Sequence, residues 1–229
     1  MKIFNRPNGM ILGVFLVLFL ISAQNASAYV FSGSYVEMYL KQTTFPSDLE
    51  EQKVYLDKAS ANTITGHVGS QTGTPLVLFS STTDILVQAA DGFANIRAAD
   101  LYLNNITITA PGYYFEDLIF SVNLTPNSQT DLTVIATDKS GLSDSYSDWS
   151  TLTDWSTGEN RILLLSQLGD LMVSVTINSV AGVSGIGGID QLKQTDISGL
   201  TPIPEPVSML LFGTGLVGVG VYVRRKFKK

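Results

Sequence analysis

The sequence predicts a mainly β protein in which residues 29–200 form a single antiparallel β-sandwich of jelly-roll-like architecture. A signal peptide is predicted before this domain, and a transmembrane helix after it. Two observations predict the fold. Residues 29–203 contain 40 Ser and Thr residues, which together with Val, Ile and Tyr favour strands over helices. Stretches that alternate apolar and polar residues recur about every ten residues, with turn residues between them.

The predicted strands cover residues 34–40, 63–68, 76–79, 85–89, 101–109, 115–124, 131–137 and 171–178, and residues 189–199 form a last strand. The period of two is clearest in residues 171–178, where four apolar residues share one face: Leu171, Val173, Val175 and Ile177.

Four stretches between or within these strands carry further predictions. In residues 101–109 the apolar positions change parity at Asn104 and Asn105, which predicts a bulge or a break. Turns are predicted at Pro111-Gly112 and at Gly158-Glu159-Asn160. Residues 46–58 are predicted to form one short helix, with a loop as the alternative.

The N-terminus has the anatomy of a secretory signal peptide over residues 1–28. Lys2 and Arg6 precede an apolar run at residues 10–21, and Ala26-Ser27-Ala28 supplies the small residues that a signal peptidase requires. We expect cleavage between Ala28 and Tyr29. An uncleaved anchor is the alternative, although the run is shorter than the roughly 17 residues that a membrane span needs.

The C-terminus combines three features in a fixed order. A Pro-rich stalk at residues 201–206 contains Pro204-Glu205-Pro206, and an uncharged stretch of 17 residues follows at residues 207–223. As a helix this stretch covers about 25 Å, at the short limit for a transmembrane helix. Residues 224–229 form a basic tail with Arg224, Arg225 and Lys226, which the positive-inside rule places in the cytoplasm.

This ordered set resembles the PEP-CTERM sorting signal of Gram-negative bacteria that make exopolysaccharide. The resemblance covers residues 203–229, with one departure: the Ser that usually follows the motif is displaced to Ser208, after Val207. It implies that an exosortase recognises the tail and processes the chain near Pro204-Glu205-Pro206. The precursor would be anchored in the inner membrane with a periplasmic ectodomain, and the product would reach the cell surface or the extracellular matrix. A permanent C-terminal anchor is the alternative.

Composition excludes several classes of function. Residues 29–203 carry 7 cations and 19 acids, a charge of about −12, which excludes nucleic acid as a partner. The absence of cysteine excludes thiolate metal sites, a cysteine nucleophile and disulfides.

A short repeat suggests a possible binding site. Asp148-Trp149-Ser150-Thr151 recurs as Asp154-Trp155-Ser156-Thr157, in a context typical of a surface loop. Exposed Trp149 and Trp155 could stack on sugar rings while Asp148 and Asp154 bind the hydroxyls. The alternative is that the two rings cover one end of the sandwich.

Signals for catalysis and for metal binding are weak. His67 is the single histidine, and its parity in the strand places it opposite the apolar residues, which favours a polar strand residue over a general base. No adjacent pair of acids suits glycoside hydrolysis, although distant acids such as Glu37 and Glu116 could meet in space. The acidic stretch at residues 138–159 could bind Ca²⁺ through oxygen ligands, but it lacks an EF-hand pattern and is more typical of a solvated loop.

Three functions therefore remain after the sequence analysis. The first is a non-catalytic exported surface or matrix protein, with signal peptidase, exosortase, the membrane and exopolysaccharide as its partners and without a cofactor. The second is a carbohydrate-binding module that uses the two tryptophans. The third, which no catalytic pattern supports, is a secreted glycan hydrolase.

Overall fold

The computed structural model describes residues 29–40, 52–57, 60–69, 75–90, 93–100, 102–124, 131–147, 158–167, 169–180 and 188–204. Within these ranges every regular element is a β-strand, and all strand pairs are antiparallel. The prediction of a mainly antiparallel β protein is therefore confirmed.

Seventeen strands are described in these ranges. The first nine are β1 (Tyr29–Ser32), β2 (Val36–Leu40), β3 (Gln52–Leu56), β4 (Ser60–Ala61), β5 (Thr63–Val68), β6 (Leu76–Ser80), β7 (Leu86–Gln88), β8 (Ile96–Ala98) and β9 (Asn105–Thr109). The others are β10 (Tyr113–Tyr114), β11 (Asp117–Leu124), β12 (Asp131–Asp138), β13 (Ser143–Tyr146), β14 (Gly158–Ser166), β15 (Met172–Val180), β16 (Ile189–Ser198) and β17 (Thr201–Pro202).

The strands form one continuous hydrogen-bonded path in the order β1-β2-β14-β11-β16-β3-β5-β6-β9-β15-β12-β13. Strands β8, β7 and β4 branch from β16, and β10 pairs with β17 as a separate ribbon. The path crosses from β16 to β3 through the pairs Asp196–Lys53 and Ile197–Gln52. Because this crossing joins the two halves of the structure, the hydrogen bonds do not by themselves confirm a sandwich of two separate sheets.

The two ends of the path lie against each other. Asp144 of β13 accepts hydrogen bonds from the amides of Ser34, Tyr35 and Val36, at 3.0, 2.7 and 2.9 Å. The Tyr146 hydroxyl donates to the Val36 carbonyl. The sheet therefore nearly closes on itself.

A single hydrophobic core fills the interior, because each strand turns alternate side chains inward. In β5, Ile64, Gly66 and Val68 are buried, which confirms the predicted parity of this strand. Fully buried rings come from both halves of the path, Phe79 from β6 and Phe120 from β11.

The parity predicted for residues 171–178 is wrong at its beginning. Met172 is fully buried, Val173 is only half-buried, and inward alternation resumes at Val175. The register explains the change: Asp138 pairs with Met172 and Thr137 with Ser174, so that Val173 is an extra residue on β15. This β-bulge shifts the alternation by one residue.

The break predicted at Asn104 and Asn105 is confirmed. Strand β9 begins at Asn105, and Leu103 makes an isolated bridge with Ile189 on another strand. The chain therefore changes strand partner at the point where the apolar parity changes.

Two local predictions are wrong. Gln52–Leu56 is strand β3 rather than part of a helix, because Val54 and Leu56 alternate into the core; residues 41–51 lie outside the described ranges. Gly158-Glu159-Asn160 begins β14 rather than forming a turn. These residues pair with β11 from Leu124 to Val122, so that the neighbouring strand supplies their backbone hydrogen bonds.

Candidate functional site

The segment that precedes Pro204 is bound to the domain. Thr201 and Pro202 pair with Tyr114 and Tyr113, and the Ile203 amide donates to the Gly112 carbonyl at 2.8 Å. We call residues 201–203 and their partners at residues 112–114 the C-terminal clip. The first three residues of the predicted stalk are therefore part of this clip.

Two glycines make the clip possible. At Gly112, in the predicted turn, φ is 81°, and the Tyr113 amide closes the turn by donating to Ala110. At Gly199, φ is 62°, and a Cβ atom there would lie 2.4 Å from the Cβ of Glu116. Glycine is the residue that adopts this conformation without steric strain, so the chain can turn from β16 into β17.

The C-terminal clip ends immediately before the predicted sorting motif. Pro204 is exposed, whereas Glu205, Pro206, Arg224, Arg225 and Lys226 lie outside the described residues. Residues 207–223, the predicted transmembrane helix, lie outside them too. The part of the chain that the structure describes contains no helix long and apolar enough to cross a bilayer.

At the N-terminal boundary, Tyr29 is the first residue of β1 and pairs with Leu40. Ala26 and Ala28 lie outside the described residues. The first described strand therefore begins at the residue that would follow signal peptidase cleavage.

A polar cleft of about 650 Å³ lies where the two ends of the sheet meet. It is lined by residues 31–34 of the β1–β2 turn and residues 144–147 at the end of β13. Four serine hydroxyls line it, from Ser32, Ser34, Ser145 and Ser147, and they can donate or accept hydrogen bonds to a polar ligand. The Asp144 carboxylate in its wall already binds three backbone amides, so its main contribution is to hold the turn.

The tryptophan repeat follows this cleft directly in the sequence. Ser147 is the last described residue before it, and Trp149, Trp155, Asp148 and Asp154 lie outside the described residues. Their role as sugar contacts stays a prediction.

The calcium prediction also stays a prediction. Asp138 is buried, and its Oδ1 accepts the amides of Ser140 and Leu142 at 2.9 and 2.8 Å, which stabilises a turn. Glu159 is exposed on β14. Within the described ranges no group of three or more His, Asp or Glu side chains could hold a metal ion.

His67 lies on the outward face of β5, as its parity predicts, and is half-buried. Its Nε2 lies 3.1 Å from Oδ2 of Asp57 on β3's C-terminal side. The Thr65 hydroxyl donates to the same oxygen at 2.6 Å. Thr65 and His67 therefore share one carboxylate oxygen, and the Thr65 hydroxyl directs its proton at Asp57.

The sequence analysis did not predict the burial of two acids, Asp84 and Asp117. Burial alone would raise the pKa of Asp84, but hydrogen bonds from the Asn104 side chain, Thr83 and the amides of Asn105 and Asn104 outweigh it and lower the pKa below its usual value. Sequence gives little warning of this, because the partners at Asn104 and Asn105 lie twenty residues away.

The second buried acid, Asp117, has the opposite shift. Burial raises its pKa and the negative charge of Glu116 adds to this, while a 2.5 Å hydrogen bond from Ser198 opposes it. Oδ1 of Asp117 is buried without a hydrogen-bond partner.

The Glu37 carboxylate is also engaged in a hydrogen bond. The Tyr39 hydroxyl donates to Oε2 of Glu37 at 2.5 Å, and this bond, with burial and the negative charge, raises the pKa of Tyr39 to about 12. Glu37 of β2 is the register partner of Leu165 of β14, and Leu165 is the register partner of Asp117 of β11. Glu37 and Asp117 therefore lie two strands apart in the sheet.

Comparison with known proteins identifies the C-terminal region. The family model of the PEP-CTERM protein-sorting motif matches residues 202–226. No curated protein and no solved structure matches the chain. The match supports a PEP-CTERM sorting signal at the C-terminus of this chain, and the motif implies an exported, membrane-anchored precursor that the exosortase pathway processes.

Proposed function

We propose that the chain is the precursor of a non-catalytic surface or matrix protein that associates with exopolysaccharide. In this proposal signal peptidase removes residues 1–28 and exosortase removes the tail near Pro204-Glu205-Pro206. The precursor holds its domain in the periplasm, and the mature protein is delivered to the cell surface or beyond it. The observation that carries the proposal is the sorting motif, matched at residues 202–226, which begins within the C-terminal clip.

Processing at both ends is compatible with the described strands. Strand β1 begins at Tyr29 and β17 ends at Pro202, so that the described fold lies between the two expected cleavage sites. Removal of residues outside these limits would leave every described strand intact.

Support for a non-catalytic role comes from the engaged acids. Asp84, Asp138 and Asp144 each accept hydrogen bonds from backbone amides, which is a structural use of a carboxylate.

We also propose that the two halves of the strand path act as the two layers of a sandwich. The first half runs from β1 to β16 and the second from β3 to β13. Phe120 from the first and Phe79 from the second belong to one core, as expected for two layers that pack face to face.

Mass analysis of the protein from its native host tests the processing. We expect the mature form to begin at Tyr29 and to end near Pro204-Glu205-Pro206. A Glu205→Ala variant should accumulate as precursor, while Thr201→Val, four residues earlier, should be processed normally. Recovery of Lys229 in the mature surface form would contradict processing.

A second candidate function is carbohydrate binding through the tryptophan repeat. The observation that favours it is the serine-lined cleft, whose last residue, Ser147, directly precedes Asp148 and Trp149. On a glycan array, Trp149→Ala and Trp155→Ala should each weaken binding. Absence of binding by the wild type, or equal binding by both variants and the wild type, would exclude this site.

A further inference from the structure

The outward face of six neighbouring strands carries a regular array of small polar side chains. Its strands are consecutive in the path: β5, β6, β9, β15, β12 and β13. Pairing registers align one row across them, formed by Thr65, Leu78, Thr109, Ser174, Thr137 and Ser143. A second row, two residues along each strand, is formed by Thr63, Ser80, Thr107, Thr176, Ile135 and Ser145. We call these two rows the hydroxyl face.

Side-chain hydrogen bonds show that these residues point to the same side. The hydroxyls of Thr107 and Thr176 lie 2.9 Å apart, and those of Thr137 and Ser143 are also 2.9 Å apart. Each such pair uses one donor and one acceptor, which leaves one hydroxyl donor and further lone pairs for a ligand. The face therefore presents oriented hydrogen-bonding groups about 4.8 Å apart across the strands and about 6.7 Å apart along them.

The hydroxyl face is uncharged, in contrast to the rest of the exported chain. None of its twelve side chains carries a charge, whereas residues 29–203 carry 7 cations and 19 acids. Only Leu78 and Ile135 are apolar. A protein interface normally has an apolar, aromatic centre, which these rows lack. An anionic polymer would be repelled by the acidic chain around the face.

Aromatic and hydroxyl groups adjoin the two ends of the face. At the β5 edge, Tyr55 of β3 pairs with His67 and packs against Phe93, with the ring centroids 5.4 Å apart. The Lys53 ammonium lies over the Phe93 ring at 4.2 Å, and Asp57 accepts the Thr65 hydroxyl, so this edge is charged. At the β13 edge, Ser145 belongs both to the second row and to the wall of the polar cleft. The polar surface is thus continuous from an aromatic pair to the serine-lined cleft.

We propose that the hydroxyl face binds a neutral polysaccharide along its chain. Sugar rings offer several hydroxyls each, which match the rows of hydroxyls. Each hydrogen bond is weak in water, so affinity comes from many contacts along the polymer. This inference rests on the exopolysaccharide association proposed above and assigns it to residues other than the two tryptophans.

The test uses the full-length chain in detergent and exopolysaccharide from the native host, separated by anion exchange into neutral and anionic fractions and immobilised. The wild type should bind the neutral fraction, with a Kd that changes less than about twofold between low and high salt. A neutral ligand makes few charge–charge contacts that salt could screen. The double variant Thr107→Val, Thr176→Val keeps the β-branched shape. It should weaken binding about tenfold, because it removes two hydroxyls that would each form a hydrogen bond with the ligand.

Two controls separate hydroxyl chemistry from misfolding. Thr107→Ser, Thr176→Ser restores the hydroxyls and should restore binding, and Thr201→Val, in the C-terminal clip, should bind as the wild type does. If the valine variant binds the neutral fraction as tightly as the wild type, the hydroxyl face is the wrong surface, while the polysaccharide association stands. Loss of binding in the serine variant equal to that in the valine variant also contradicts the proposal.

Two further outcomes concern the ligand. Salt-sensitive binding to the anionic fraction alone would overturn a neutral ligand. Failure of the wild type to bind either fraction would overturn both the hydroxyl face and the polysaccharide association. Export and processing would still be judged independently, by the mass of the mature chain.

Discussion

Substitution of Asp84 is the strongest single test of whether buried hydrogen bonds stabilise the structure. Its side chain is almost fully buried and accepts the amides of Asn104 and Asn105 at 2.9 and 3.1 Å, the Asn104 side chain at 2.9 Å and the Thr83 hydroxyl at 2.8 Å. It thereby joins the loop before β7 to the start of β9. We predict that Asp84→Ala is among the most destabilising single substitutions in the domain.

The magnitude follows from the groups that the substitution leaves without partners. Two backbone amides and one side-chain amide lose a charged acceptor, and each unsatisfied buried donor costs about 1–3 kcal/mol, of which water entering the cavity returns part. A loss of about 3 kcal/mol in the free energy of unfolding lowers the Tm of a domain of this size by about 6–12 °C. Asp84→Asn keeps one acceptor oxygen and should lose about half as much.

Thermal and urea unfolding followed by circular dichroism measures both variants. The pKa of Asp84 is lowered in the folded state, so its stabilisation is present above the unfolded pKa and is lost as the pH falls through the folded pKa. The gap in stability between wild type and Asp84→Asn should therefore be full at neutral pH and shrink below about pH 4. A Tm for Asp84→Ala within about 2 °C of the wild type would refute the reasoning.

Three further predictions concern other positions in the fold. The pKa of Asp117 is raised in the folded state, so the wild type should lose stability as the pH rises from the unfolded pKa near 4 through the folded pKa. Urea unfolding of Asp117→Asn should lack this loss, and parallel pH profiles would contradict it. Tyr146→Phe removes the hydrogen bond to Val36 that joins the sheet ends and should cost about 0.5–1.5 kcal/mol, because Gly33 still donates to the same carbonyl; an unchanged urea midpoint would count against the contact. Gly199→Ala puts a Cβ against Glu116 at positive φ and should lower the Tm by several degrees, with faster proteolysis after β16; a Tm equal to that of the wild type would show that the turn tolerates a side chain.

The sequence predicted those parts of the fold that depend on local alternation. Strand β5 was predicted with its observed bounds, because Ile64, Gly66 and Val68 are inward and the residues between them are polar. Strand β9 begins where the apolar parity changes, at Asn105. In both cases the pattern that determines burial lies within the strand itself.

The features that were missed depend on partners distant in sequence. The bulge at Val173 becomes visible only in the pairing with Asp138 and Thr137, because Leu171 and Val173 continue the apolar pattern in the sequence. Gly158 looks like a turn residue, but an available strand edge at Leu124 makes it part of β14. Similarly, the sequence near Tyr113 and Tyr114 does not indicate that they pair with residues almost ninety positions later.

The functional regions show the same difference between local and distant determinants. The sorting motif was predicted from sequence because its recognition depends on the order of short features in the chain, and the family match confirms it. The hydroxyl face was not predicted, since each of its strands contributes only two residues. A Thr-x-Thr pattern in one strand is an ordinary solvent-facing alternation, and six strands must be aligned before it becomes a surface.

The C-terminal clip limits where the domain can lie while the precursor is anchored. The Ile203 amide is bound to Gly112, and the predicted transmembrane helix begins at residue 207, so only residues 204–206 separate the folded domain from it. Three residues and their flanking bonds span at most about 14 Å even when fully extended. If residues 207–223 span the membrane, the side of the domain that carries Tyr113 and Tyr114 stays close to the membrane surface, where an exosortase would act. The hydroxyl face and the clip share no residue, so binding and processing do not compete for the same side chains.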